Sequence, residues 1–159
     1  ISTLTKDDIV ESLPLGVGGV TNLELAAAFE VMPNQGVYKE PVLYTKILDQ
    51  DGNVLLEKKP KKHRVINDST AFLLTSAMQD VVLYGTGKLA DFGTMPIAGK
   101  TGTAEHGDAS STTPHAWFVG FSNVEDPDIV VSVIAEESGS GSEVAVPIAQ
   151  KIFDAYYNN

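Results

Sequence analysis

The chain has 159 residues, 43% of them apolar, and 21 acidic against 11 basic side chains give a formal net charge of −10. That is the size and composition of one soluble globular domain and not of a disordered chain. The acidic balance argues against a nucleic-acid partner. The absence of cysteine excludes a disulfide framework, a thiolate nucleophile and a cysteine-based zinc site.

The longest near-continuous apolar run, Ile129 to Ala135, falls far short of the roughly 20 residues that span a bilayer. No N-terminal basic-then-apolar signal segment is present, and a chain that begins at Ile1 reads as a processed product or a fragment.

The first stretch, up to Gly19, is turn-rich, with Pro14 and Gly16-Val17-Gly18-Gly19. Thr21-Asn22-Leu23-Glu24 then reads as a capping box, with Leu23, Ala26, Ala27 and Val31 continuing an amphipathic helix that stops by Pro33 and Gly36. Val42 to Leu48 has period 2, Asp51-Gly52 signals a turn, and Val54-Leu55-Leu56 returns, which predicts a β-hairpin. Lys58, Lys59, Lys61, Lys62 and Arg64 hold five of the eleven basic residues and read as a solvated loop. Asn67-Asp68-Ser69 offers N-cap residues for a second helix, with Ala71, Leu74, Met78, Val81 and Val82 at helical spacing and Gly85 and Gly87 at its end.

Three strands follow, over Ile97–Ala104, His115–Ser122 and Ile129–Glu136, joined by short connections that favour antiparallel neighbours. After Gly139-Ser140-Gly141, the residues Val144, Ile148, Ile152, Phe153 and Tyr156 predict a closing helix. The order helix, hairpin, helix, three strands, helix is an α+β pattern built on an antiparallel sheet flanked by helices.

The run Ile97-Ala98-Gly99-Lys100-Thr101-Gly102-Thr103-Ala104 carries the most chemistry. It is not a phosphate-binding loop, because Thr94 stands where that motif requires its first glycine and the flanking pattern is a strand. Gly85-Thr86-Gly87-Lys88 fails the same test, with Leu89 where Ser or Thr should stand. As an edge strand, Lys100 and Gly102 alternate with Thr101 and Thr103, and a local twist would let the ammonium and both hydroxyls converge on one ligand. An extended peptide docks on such an edge by strand addition, lysine attracts its carboxylate, and Gly102 lets its backbone approach.

His106 and His115 flank the next loop with a spacing that fits no zinc template, so they read as strand-end histidines. Glu105 and Asp108 read as solvated acids, Trp117 and Phe118 as core with Trp117 at a cleft floor, and Gly139 to Gly141 as a turn or a cleft border.

In this context the chain from Ile9 onward resembles the C-terminal half of a penicillin-binding protein transpeptidase domain, part of the serine β-lactamase/transpeptidase-like fold. The resemblance rests on Gly19-Val20-Thr21-Asn22-Leu23-Glu24-Leu25-Ala26-Ala27-Ala28-Phe29, Asn34-Gln35-Gly36-Val37-Tyr38 and Gly85-Thr86-Gly87. It continues in Ala98-Gly99-Lys100-Thr101-Gly102-Thr103-Ala104 and His115-Ala116-Trp117-Phe118-Val119-Gly120-Phe121. The hairpin looks more like the bifunctional class and Val144 to Ala149 more like the monofunctional class, so the class stays open.

The resemblance implies acyl transfer from D-Ala–D-Ala stem peptides through a serine ester, with β-lactams as mimics and with neither cofactor nor metal. Lys100 would belong to the polar network beside the nucleophile. Thr101 and Thr103 would hold the substrate carboxylate, Gly102 would admit its backbone, and the Thr103 N–H would be an oxyanion donor. It also implies an extracytoplasmic place on the bacterial cell membrane, reached only through an upstream anchor.

The sequence departs from the family at the nucleophile. No serine has lysine three positions later, and no Ser-x-Asn occurs. Tyr156-Tyr157-Asn158 fits a loose variant of the second motif but lies after Lys100, against the family's order. The expectation is that residues 1–159 form the C-terminal portion of one domain, with a hairpin insertion about 42–58. The nucleophile-bearing portion would lie upstream as a partner, and the Ile129–Glu136 strand would have a free edge. The alternatives are a non-catalytic sensor or cell-wall scaffold of the same fold, and a generic carboxylate-peptide binder.

Overall fold

The structure is a computed structural model that describes residues 1–91, 93, 95–107 and 112–158. Helix α1 (Asn22–Phe29) starts at the predicted box: Thr21 Oγ1 accepts from Glu24 N at 3.2 Å while Thr21 N donates to Glu24 Oε2 at 3.3 Å. Strand β1 (Val37–Lys39) follows a turn in which Gly36 has φ +86° and backs onto the Ile66 carbonyl, where a Cβ would clash with main chain. The hairpin is present as β2 (Lys46–Leu48) and β3 (Val54–Glu57), antiparallel with a bulge after Ile47 and exposed throughout.

The basic segment is not simply a loop. Lys62–Arg64 forms strand β4, antiparallel to β1, pairing Val37 with Arg64 and Lys39 with Lys62. Tyr38 stacks beside His63, and Arg64 Nη1 donates to the Gln35 carbonyl at 2.8 Å. A strand of three residues that is polar on both faces leaves no period-2 apolar signal, which is why the pairing is invisible in the sequence.

Helix α2 (Asp68–Leu83) begins after Asn67 and buries Ala71, Met78 and Val82, leaving Leu74 largely exposed. The main sheet is three-stranded and antiparallel, in the order β5 (Ile97–Ala104), β6 (His115–Ser122), β7 (Ile129–Ala135). Both β5 and β7 therefore have an edge without a strand partner among the described residues. Helix α3 (Val146–Tyr157) closes the chain after a π-helical turn over Gly141–Ala145.

Side chains alternate across this sheet, so each face has its own core. One face places Ile97, Ala116, Phe118, Val131 and Val133 against Ala145, Val146, Ala149 and Phe153 of α3 and the turn before it. The other places Ala98 and Phe121 against Met78 of α2, with Phe29 and Met32 beside them. Phe118 is fully buried, and its ring fills the hollow over the cross-strand pair Gly99 and Gly120, where added Cβ atoms would approach its Cζ to 2.7 and 2.9 Å.

The face of α3 corrects the sequence reading. Val146, Ala149 and Phe153 form the buried stripe, whereas Ile148, Ile152 and Tyr156 stay 40–50% exposed. The helix carries two apolar stripes, and the one with the small Ala149 packs against the sheet.

Candidate active site

The Lys-Thr-Gly-Thr run lies on β5, which pairs only with β6 among the described residues. In an antiparallel pair, alternate residues turn both backbone groups toward the partner or away from it, so every second residue of β5 presents N–H and C=O to the unpaired edge. Lys100 and Gly102 share the sheet face of Ala98, and Thr101 and Thr103 share the face of Ile97.

The four residues are held differently. The Lys100 side chain is exposed and its Nζ donates to the Thr101 carbonyl at 2.5 Å. Thr101 is 8% exposed, and its Oγ1 lies 2.7 Å from Thr86 Oγ1. Thr103 is exposed. Gly102 faces Trp117, whose Cβ would lie 3.2 Å from an added methyl. The lysine thus touches the backbone of the threonine beside it, while the Thr101 hydroxyl is tied to a residue of another segment.

Two neighbours frame this strand. The turn after α2 carries Thr86 between Gly85 and Gly87, whose N–H groups both donate to the Val81 carbonyl, at 3.1 and 3.0 Å. On the other side Gly141 is buried so closely that a Cβ there would fall under 3.0 Å from the carbonyl oxygens of both Gly102 and Trp117. Gly139-Ser140-Gly141 therefore borders the motif strand, the cleft-border reading of the two. Ser140 Oγ and Ser142 Oγ lie 2.7 Å apart beside it. Trp117 is half-buried opposite Gly102, unlike the fully buried Phe118.

The histidines stand at the far end of the same strands. The His106 and His115 rings are tilted with centroids 4.0 Å apart. Glu137 N donates to His115 Nδ1 at 3.0 Å, so that nitrogen is an acceptor and the ring proton sits on Nε2. His106 Nε2 is buried, makes no hydrogen bond and lies 3.9 Å from Glu137 Oε1. Among the described residues no group of three His, Asp or Glu side chains could hold a metal ion. Glu105 is exposed, and Asp108 lies outside the described residues.

The sequence reading offers Gly139 to Gly141 as a cleft border but misses the contact of Thr86 with the motif strand. Gly85-Thr86-Gly87 reads as a helix stop and as part of the family resemblance, but nothing local says that its threonine meets a residue fifteen positions away.

The penicillin binding protein transpeptidase domain family matches residues 4–154. The chain is 40% identical over 122 residues to penicillin-binding protein 1A of Clostridium acetobutylicum, covering 74% of this chain and 14% of that protein. It is 30% identical to the peptidoglycan D,D-transpeptidase PbpA of Mycolicibacterium smegmatis, covering 94% of this chain and 33% of that protein. It also superimposes with a TM-score of 0.80 and 27% identity on penicillin-binding protein A from M. tuberculosis in a ceftriaxone acyl-enzyme complex, over 88% of this chain and 33% of that one. The chain thus spans a third or less of the length of each of these relatives. With the matched family covering nearly every residue and the antiparallel sheet aligning with solved members, the chain belongs to the penicillin-binding protein transpeptidase domain family.

Proposed function

We propose that this chain is the C-terminal portion of a peptidoglycan D,D-transpeptidase domain and supplies one wall of its active site. The carrying observation is the placement of Lys100, Thr101, Gly102 and Thr103 on a strand whose outer edge has no strand partner among the described residues, bordered by Gly141 and Thr86. A stem peptide ending in D-Ala–D-Ala pairs with that edge as an added strand. Thr101 and Thr103 hydrogen-bond its terminal carboxylate, and the Lys100 ammonium supplies the positive field that attracts it. β-Lactams, which the relative from M. tuberculosis carries as acyl-enzymes, bind in the same way.

The nucleophile comes from outside the chain, since no serine here precedes lysine at the required spacing. Its oxygen attacks the carbonyl between the two D-alanines, the peptide bond breaks, and the terminal D-Ala leaves with the proton. The serine ester is then attacked by the amine of a neighbouring stem peptide. Negative charge develops on the carbonyl oxygen in both steps. The Thr103 N–H donates to that oxygen, an interaction worth about 3 kcal/mol per donor.

The partners are the stem peptide, β-lactams and the portion of the same domain that bears the serine. The place of action is the extracytoplasmic face of the bacterial membrane, where the substrate lies. Among the described residues no helix is long and apolar enough to cross a membrane.

Labelled penicillin, followed by denaturation and mapping of the label in the full-length protein, tests this reading. Label on a serine outside residues 1–159, lost when Thr101 and Thr103 are both replaced by valine, is the expected result. Label within this chain refutes the placement of the nucleophile. No label on a folded full-length protein favours the scaffold alternative.

A further inference from the structure

We infer that Thr86 is a positioning residue for carboxylate recognition, holding the Thr101 hydroxyl oxygen in place and donating to it when the Thr101 proton turns to the ligand; this rests on the acyl-transfer reading above. The two hydroxyl oxygens are 2.7 Å apart, and Thr101 is nearly buried while Thr86 faces solvent. A hydroxyl has one proton to give and two lone pairs to receive with. If Thr101 donates to Thr86, it has nothing left for a carboxylate. If Thr86 donates to Thr101, the Thr101 proton is free to point at the anion, and the two bonds polarise one another in series. An arriving carboxylate selects the second arrangement, so the role of Thr86 is expressed only when the ligand is anionic.

The backbone holds Thr86 in the position this requires. A Cβ at Gly85 would lie 2.9 Å from the Val81 carbonyl oxygen, and one at Gly87 would lie 3.2 Å from it. Gly85 therefore folds back onto the last turn of α2 more tightly than a side chain permits, and Gly87 more tightly than most side chains do. The Thr86 side chain consequently projects from a turn pinned on either side. Its partner lies on β5, so the contact also ties the end of α2 to the motif strand.

The experiment compares acylation of the full-length enzyme by benzylpenicillin, which carries a carboxylate, and by its methyl ester, which does not. Thr86→Val removes a donor of nearly the same shape, and a neutral hydroxyl–hydroxyl bond is worth roughly fivefold. The second-order rate with the acid is expected to fall by up to about fivefold relative to the parent, with the ester rate unchanged. Thr86→Ser restores the acid-to-ester ratio, and Thr86→Val adds nothing in a Thr101→Val background.

A Thr86→Val variant with the parental ratio, or a Thr86→Ser variant no better than valine, overturns the inference provided Thr101→Val itself lowers the ratio. If Thr101→Val leaves the ratio untouched, the carboxylate-holding role of Thr101 fails first. The ratio is internal to each variant and is unaffected by partial unfolding, which lowers both rates together.

Discussion

Replacing Gly141 by alanine is the sharpest structural test, because a single methyl group enters a space bounded by main chain. The added Cβ would approach the Gly102 and Trp117 carbonyl oxygens to under 3.0 Å and the Gly102 nitrogen to 3.1 Å, against 3.4 Å for ordinary contact. No side-chain rotamer relieves this, since all three neighbouring atoms are backbone of β5 or β6. The π-helical turn must back away from the sheet by on the order of 1 Å, an overpacking strain of about 3 kcal/mol at the upper end of the usual range. The displacement falls on Gly102, so penicillin acylation of the full-length enzyme should drop together with stability in urea. Gly139→Ala is the control. Gly139 has φ +93° and nothing within 4 Å, so alanine there strains the backbone by about 1–2 kcal/mol without touching the motif strand. Parental acylation by Gly141→Ala, with a urea midpoint no lower than that of Gly139→Ala, would refute the close-packing account.

Three further outcomes are expected. Phe118→Ala empties the hollow above Gly99 and Gly120 and should cost about 3–5 kcal/mol in urea unfolding, since the ring is fully buried. Hydrogen bonds from the side chains of Ser2 and Thr3 hold the Glu24 carboxyl well below its ordinary value of 4.5. A carboxylate so lowered contributes stability that is fully present above pH 4.5 and is lost as pH falls through the depressed folded value. Glu24→Gln should flatten that acid limb in a pH series of thermal melts. Burial, followed by the hydrogen bond to Asp128, raises the Tyr157 phenol above its ordinary value of 10.0. The neutral phenol therefore contributes stability below pH 10 that is lost as pH rises through the raised folded value. Asp128→Asn should bring the phenolate absorbance step to lower pH.

Most of the element order was legible because each element carried two agreeing local signals. Thr21 and Glu24 marked the start of α1, Asp51-Gly52 sat before a returning apolar run, and the strands β5 to β7 were short apolar-rich runs bounded by turns. Reading failed where the deciding partner is distant in sequence. β4 forms because Val37–Lys39 lies opposite, and its Lys-His-Arg shows no buried face from which to infer this. On α3 two apolar stripes compete, and only the packing of Ala149 against the sheet decides between them. The motif strand announced itself through Lys100 to Thr103 and Gly139 to Gly141 reads as a border, whereas Thr86 enters the site through a tertiary contact alone.

The two outer strands of the sheet carry opposite solutions to the same hazard. An unpaired edge invites further strands, and proteins restrain it with charge, distortion or cover. At β7, whose residues are mostly apolar, α1 reaches across: Asn22 Nδ2 donates to the Ser132 carbonyl at 3.1 Å, and Ser132 Oγ returns a bond to Asn22 Oδ1. At β5 the only charge is Lys100, which any gatekeeping reading would predict. Gatekeeping needs an exposed cation and nothing more. It gives no reason for Thr101 to be nearly buried on a hydroxyl partner, or for Gly102 to be met by the backbone of Gly141. Those contacts hold the strand in place while its outer edge has no strand partner among the described residues, which suits a surface shaped to accept one extended peptide.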